Sequence, residues 1–218
     1  MIEVNPASIQ TAIAKIKREY DHISGDILNK AISNALNRAA QQTRTATNGQ
    51  IRKVYNLSAS KVNNEINVRR SSSKSLEAQI ISKGMPLSLN NFQAKQIGNV
   101  GTTSFDRKGV ASSRLNRKSR SNAAKGVSAV IKKGETINLP TAFIQVANGG
   151  ITVFARGKYR GKGEGFEFGK ERMPIGKITT TSIPLMFANK EVLSVVSKQA
   201  EEFFSSRIEH EINWLLSK

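Results

Sequence analysis

Cysteine is missing from all 218 residues, which excludes disulfide scaffolds, thiolate zinc sites and cysteine nucleophiles. Histidine is nearly missing: His22 and His210 stand at opposite ends of the chain, a poor basis for a His-rich metal cluster or a charge-relay motif. Aspartate occurs only at positions 21, 26 and 106. The one local acidic cluster, Glu164, Glu167 and Glu171, is interleaved with Lys162, Lys170 and Arg172. It reads as local charge balance, because a divalent cation draws on a concentration of carboxylates or carbonyls. No apolar run approaches the ~20 residues that a membrane-spanning helix needs. The first thirty residues carry acids and no apolar run leading to a small-residue cleavage site, so no signal peptide is expected. GxSxG and HExxH are also missing. These absences point to a soluble, non-catalytic protein without cofactor or metal.

Nucleotide binding fails on spacing. Residues 157–170, GKYRGKGEGFEFGK, hold five glycines. Lys162 stands where GxxxxGK[ST] requires glycine, and Gly161, Gly163 and Gly165 do not make GxGxxG. The segment reads as a flexible hairpin tip or interaction loop.

What is present is positive charge: 34 Lys and Arg against 16 Asp and Glu, a net of +18. It is concentrated. Residues 1–50 carry 6 basic and 4 acidic side chains, whereas residues 51–133 carry 17 and 3, a net of +14. Residues 134–182 net +3 and residues 183–218 net −1. Within the basic stretch, residues 98–126 read GNVGTTSFDRKGVASSRLNRKSRSNAAKG. So little apolar area cannot offset the entropy of ordering, and a long flexible arm is expected. Two readings fit it: an arm for a polyanion or an acidic protein surface, or a solvated insertion. The net charge favours the first.

Helical spacing joins Ile9, Ile13, Ile16 and Tyr20 over residues 7–20, and Ser24-Gly25-Asp26 marks a break. A second helix follows from Ile27 through Leu28, Ile32, Ala35, Leu36 and Ala39, with Gly49 as its expected stop. A short third helix, capped by Ser58 or Ser60, is expected to run through Val62, Ile66 and Val68 towards Arg69 and Arg70. Those two cations suit either phosphates or the dipole at a helix C-terminus, and the dipole is the more ordinary explanation. Period-two alternation at Leu76, Ala78 and Ile80, and again at Val127, Ala129 and Ile131, predicts strands. Pro86–Leu89 reads as a further short edge. AFIQVA and ITVFA flank Asn148-Gly149-Gly150, a β-hairpin signal. A final helix opens at Ser182-Ile183-Pro184, with an apolar stripe through Leu185, Val192, Val196, Phe203, Ile208, Ile212 and Leu215. The fold class is therefore α+β. N-terminal helices and a long C-terminal helix pack on a mostly antiparallel sheet, with a long basic loop and a Gly-rich hairpin loop.

The order of several segments carries a resemblance. ALNRAA (35–40) lies on the early helix, and PTAFIQ (140–145) leads through the Asn-Gly turn to ITVFAR (151–156). RMPIGKI (172–178) and the SIP helix start (182–184) follow. Over residues 27–190 this order resembles the minor tail protein Z family of tailed bacteriophages, also described as tail completion proteins. The resemblance implies a single tail-completion domain over 1–218 and a virion structural protein at the head-proximal end of the tail. It is expected in the neck after assembly in the host cytoplasm, and is needed for head–tail joining and DNA passage. It also implies a homo-hexameric ring beside tail terminator, tail tube or head-connector proteins, with no membrane partner and no catalytic residues. Nonspecific contact with phage DNA, or with acidic partners, would fall to Arg107, Lys108, Arg114, Arg117, Lys118, Arg120 and Lys125. Subunit contacts would fall to the hairpin at Phe143, Gln145, Asn148 and Gly149. The rival reading is a sequence-nonspecific nucleic-acid-binding protein of the cytoplasm. Against it, the basic stretch holds only Tyr55, Phe92 and Phe105 as stacking platforms, and no recognition helix is evident.

Overall fold

A computed structural model describes residues 7–97, 103–105, 111–113, 126–147, 150–159, 166–168 and 175–217. The chain divides into two compact units, residues 1–54, 58–85 and 182–218 forming the first and residues 55–57 and 86–181 the second. The architecture is α+β, with antiparallel sheets and a long C-terminal helix.

The first unit holds α1 (Ala7–Glu19), α2 (Gly25–Val54), α3 (Ala59–Glu65), β1 (Ile66–Arg69), β2 (Gln79–Ser82), α4 (Ile183–Phe187) and α5 (Lys190–Leu216). On α2, an apolar stripe at three- and four-residue steps runs through Leu28, Ile32, Ala35, Leu36 and Ala39. It continues through Thr43 and Thr47 and, past the expected end at Gly49, to Ile51. Thr43, Thr47 and Ile51 are buried, and each threonine hydroxyl donates to the carbonyl four residues earlier at 2.8 Å. Gly49 therefore does not stop the helix: it sits on the exposed side, and the buried turns on either side of it carry α2 to Val54.

The C-terminal stripe is also revised. The helix is broken at Asn189, whose side-chain Oδ1 accepts from the Glu191 N–H at 2.9 Å and so caps α5. Beyond that break Val192, Val196, Ala200, Phe204, Ile208 and Ile212 are buried at four-residue steps. Phe203 lies half-buried beside them, and Leu185, on α4, is 65% exposed. The helices α2 and α5 run antiparallel, as two contacts of opposite order require: Arg207 Nε donates to Gln42 Oε1 at 3.2 Å, and Arg38 pairs with Glu211 at 3.2 Å. Ile9 and Ile13 of α1 complete the cluster around Phe204.

The third helix is shorter than its spacing suggested. Ser58 caps it, with the Lys61 N–H donating to Ser58 Oγ at 3.4 Å, but Ile66 and Val68 lie in β1. The β-branched Ile66 is fully buried, and Arg44 satisfies the carbonyls at the helix end. Its guanidinium donates to the carbonyls of Asn63 (3.0 Å) and Ile66 (2.9 Å), which a longer helix would have used internally. The strand β1 pairs antiparallel with β2, Val68 opposite Ile80. That strand begins at Gln79, so Leu76 and Ala78 precede it and pack on the helical cluster instead.

The second unit contains β3 (Lys95–Gln96), β4 (Thr103–Phe105), β5 (Ala111–Ser113), β6 (Val127–Ala129), β7 (Ile137–Leu139), β8 (Ala142–Ala147), β9 (Gly150–Tyr159), β10 (Phe166–Phe168) and β11 (Ile175–Lys177). A 3-10 turn, Leu89–Phe92, precedes them. The antiparallel sheet β3-β6-β7 faces a core of Leu89, Val127, Ala129, Ala142, Val153, Ala155 and Ile178. Ser88 bridges Thr179, so the Pro86–Leu89 stretch does meet a partner edge before turning into the 3-10 segment. Within the segment expected to be a structureless arm, β4 pairs with β5, Ser104 opposite Ser112.

Candidate interaction surfaces

The β-hairpin forms where its sequence placed it. The strands β8 and β9 pair from Ala142–Ala155 to Ala147–Gly150, and β11 flanks β9 with Lys177 opposite Phe154 and Ile175 opposite Arg156. Alternation sorts the side chains. Ala142, Ile144, Val153 and Ala155 face the core, which leaves Phe143, Gln145, Thr152, Phe154 and Arg156 on the other face. Phe143 and Phe154 stack at 6.1 Å between ring centroids, and the Arg156 guanidinium lies 5.7 Å over the Phe143 ring. Cation–π attraction of this kind contributes about 0.5–1 kcal/mol at an exposed site. Ile175 and Lys177 add a further exposed apolar and cationic position.

One edge of the hairpin is covered from within. Gln96 Oε1 accepts from the Ile144 N–H at 3.0 Å, and Gln96 Nε2 donates to the Gly126 carbonyl at 2.6 Å. An unpaired strand edge invites another chain, and this side chain occupies it at Ile144.

A second surface lies in the first unit. Arg69 ends a strand and Arg70 follows it, both exposed, so no helix dipole accounts for them. The loop that follows is held from both sides. Asn37 Nδ2 donates to the Ser71 carbonyl at 3.1 Å while its Oδ1 accepts from the Ser71 N–H at 2.8 Å. Ser72 and Ser75 exchange backbone hydrogen bonds at 2.9 and 3.1 Å, and Lys74 stands exposed between them.

The third feature is a polar cavity of about 170 Å³ at the α2–α5 seam, lined by Asn34, Arg38, His210, Glu211 and Trp214. The Glu211 carboxylate is nearly buried and its partner Arg38 is half exposed. Trp214 is 49% exposed, so it borders this cavity instead of filling the core. Among the described residues, no three His, Asp or Glu side chains gather where they could hold a metal ion. No helix among them is long and apolar enough to cross a membrane.

Of the sequence-derived site residues, Phe143 and Gln145 come together on the outer hairpin face, Phe143 half-buried and Gln145 exposed. Asn148 and Gly149 lie outside the described residues, as do all seven arm cations from Arg107 to Lys125. Phe154, Arg156, Ile175 and Lys177 were not singled out. Strand alternation placed Phe154 and Arg156 opposite the core residues, but only the β9–β11 register brings Lys177 and Ile175 beside them.

The described surfaces thus offer exposed cations and a cross-strand aromatic face. The family is explicit: residues 9–218 match the model of the prophage minor tail protein Z (GPZ) family, and the chain belongs to it. It is therefore a phage minor tail protein, with a structural role in the tail of the virion. No curated protein and no solved structure matches the chain.

Proposed function

We propose that this tail protein completes the head-proximal end of the tail at the neck, as a non-catalytic homo-hexameric ring required for head–tail joining and DNA passage. Tail terminator, tail tube or head-connector proteins are its neighbours in this reading. The observation that carries it is the concentration of charge in a tail protein. Ten of the seventeen cations in residues 51–133 are described, and all of them except Lys61 are exposed. DNA carries about one negative charge per 1.7 Å of its axis, so exposed cations attract it without reading its sequence. A ring with such cations towards its lumen would hold DNA loosely enough to let it pass.

The test is a phage lacking this chain, complemented in trans. Tails that assemble but do not yield infectious particles, together with a head-proximal layer that disappears from images of the neck, are the expected result. Normal infectivity, or a layer lost from the distal end of the tail, would overturn the reading. Complementation by a chain that binds DNA in the cytoplasm but never enters virions would favour the nucleic-acid-binding alternative.

A further inference from the structure

A chain of net charge +18 repels its own copies, so any ring of it needs a surface where that repulsion is reversed. Among the described helices only α5 is net negative, with five glutamates against three cations. Two of the five are engaged within the chain: Glu201 accepts from Ser8 Oγ at 2.6 Å, and Glu211 pairs with Arg38. The other three, Glu191, Glu202 and Glu209, are exposed. At about 100° per residue they fall on one stripe of the helix, opposite the buried Val192–Ile212 row and interrupted by one cation, Lys198. Val195 adds an apolar position beside them at 41% exposed.

The outer face of β8–β9–β11 has the complementary chemistry. Arg156 and Lys177 are exposed there, and the residues that β8, β9 and β11 place on that face include no acid; the nearest in the sheet is Glu167 of β10, opposite Lys158. The stacked pair of Phe143 and Phe154, with Ile175 at 39% exposed, supplies apolar area beneath the charges. The helix α5, at 1.5 Å per residue, is about 40 Å long and able to lie across several strands.

We infer that the outer face of β8–β9–β11 in one copy docks against the glutamate stripe of α5 in the next copy. Two different surfaces then meet, a heterologous contact that closes into a ring when the rotation between copies permits. This inference rests on the ring reading above. It assigns the contact to the face that carries Phe143 and adds Arg156 and Lys177, with α5 as the partner surface.

The test uses full-length chain and its sedimentation at low salt, with circular dichroism to verify folding. One variant carries Arg156→Glu with Lys177→Glu, the other Glu202→Lys with Glu209→Lys. Each alone should associate about tenfold more weakly or worse, because like charges then face each other. An equimolar mixture of the two should recover rings with copies alternating around them, and a chain carrying all four changes should assemble by itself. Recovery in the mixture separates a contact between copies from one within a single chain. Variants that form rings like the unaltered chain would overturn this contact and leave the ring reading standing. Unaltered chain that stays monomeric, in solution and in purified tails, would overturn both. Loss of duplex DNA binding in the Arg156→Glu, Lys177→Glu variant with rings intact would make the sheet face a DNA surface and refute the inference.

Discussion

At the scale of single residues, two positions have roles that their chemistry explains. Gly126 holds φ at +102°, and a Cβ there would run into the Leu139 carbonyl and come within 2.6 Å of Pro140 Cα. Backbone cannot move aside as a flexible side chain can. Gly126→Ala is therefore expected to cost about 2 kcal/mol or more, read as a lowered midpoint in urea unfolding. An unchanged midpoint would mean that the turn relaxes freely. Asn37 is the second case, its amide pairing with both backbone groups of Ser71. Asn37→Ala leaves a part-buried N–H and C=O without that partner, an expected loss of about 1–3 kcal/mol. Faster hydrogen exchange at Ser71 should accompany it. Neither role was legible beforehand. Asn37 sits inside ALNRAA, which fitted a helix whatever it touched, and its partner lies 34 residues away.

At the scale of elements, helix existence was legible and helix length was not. The stripes of α1 and the first half of α2 are periodic in the sequence because each buries one face. The second half of α2 buries Thr43, Thr47 and Asn48, which a hydrophobic pattern does not flag, and their hydroxyl and amide groups are satisfied locally or by α3. That burial outweighs the poor helix propensity of Gly49. A Cβ at Gly49 would meet nothing within 4 Å. Gly49→Ala should therefore stabilise the protein by about 0.5–1 kcal/mol, seen as a rise of a few degrees in Tm. A fall in Tm would indicate that this turn needs glycine for a reason other than space. Ile66 and Val68 show the opposite failure. Their spacing suited a helix, but burial against α2 and pairing with Ile80 and Ser82 made them a strand.

At the scale of the whole molecule, the proposed contact with DNA rests on the net charge of +18. A chain that meets DNA only through phosphates should bind unrelated duplexes of equal length with equal affinity. Its log K should fall linearly with log salt, by about 0.9 for each phosphate contacted. If the seven arm cations each meet a phosphate, replacing residues 98–125 by a neutral linker should flatten that slope by about 6. Fluorescence anisotropy between 50 and 200 mM salt, values at which such binding changes steeply, measures both. A slope that the replacement leaves untouched would move the contact to the structured cations, Arg69, Arg70 and Lys74 among them.

By itself the sequence determined the α+β class, the hairpin, the presence of the N-terminal helices and the uneven distribution of charge. Each of these is local, written in periods of two or 3.6 residues, in capping side chains or in composition. The order of its segments also pointed to the tail protein family to which it belongs. Only the tertiary structure decided where α2 ends, where α5 begins, that Arg69 closes a strand, and that Lys177 and Ile175 stand beside Phe154 and Arg156. Those outcomes depend on contacts between residues far apart in the chain, whose energies outweigh local propensity and leave no periodic trace in the sequence.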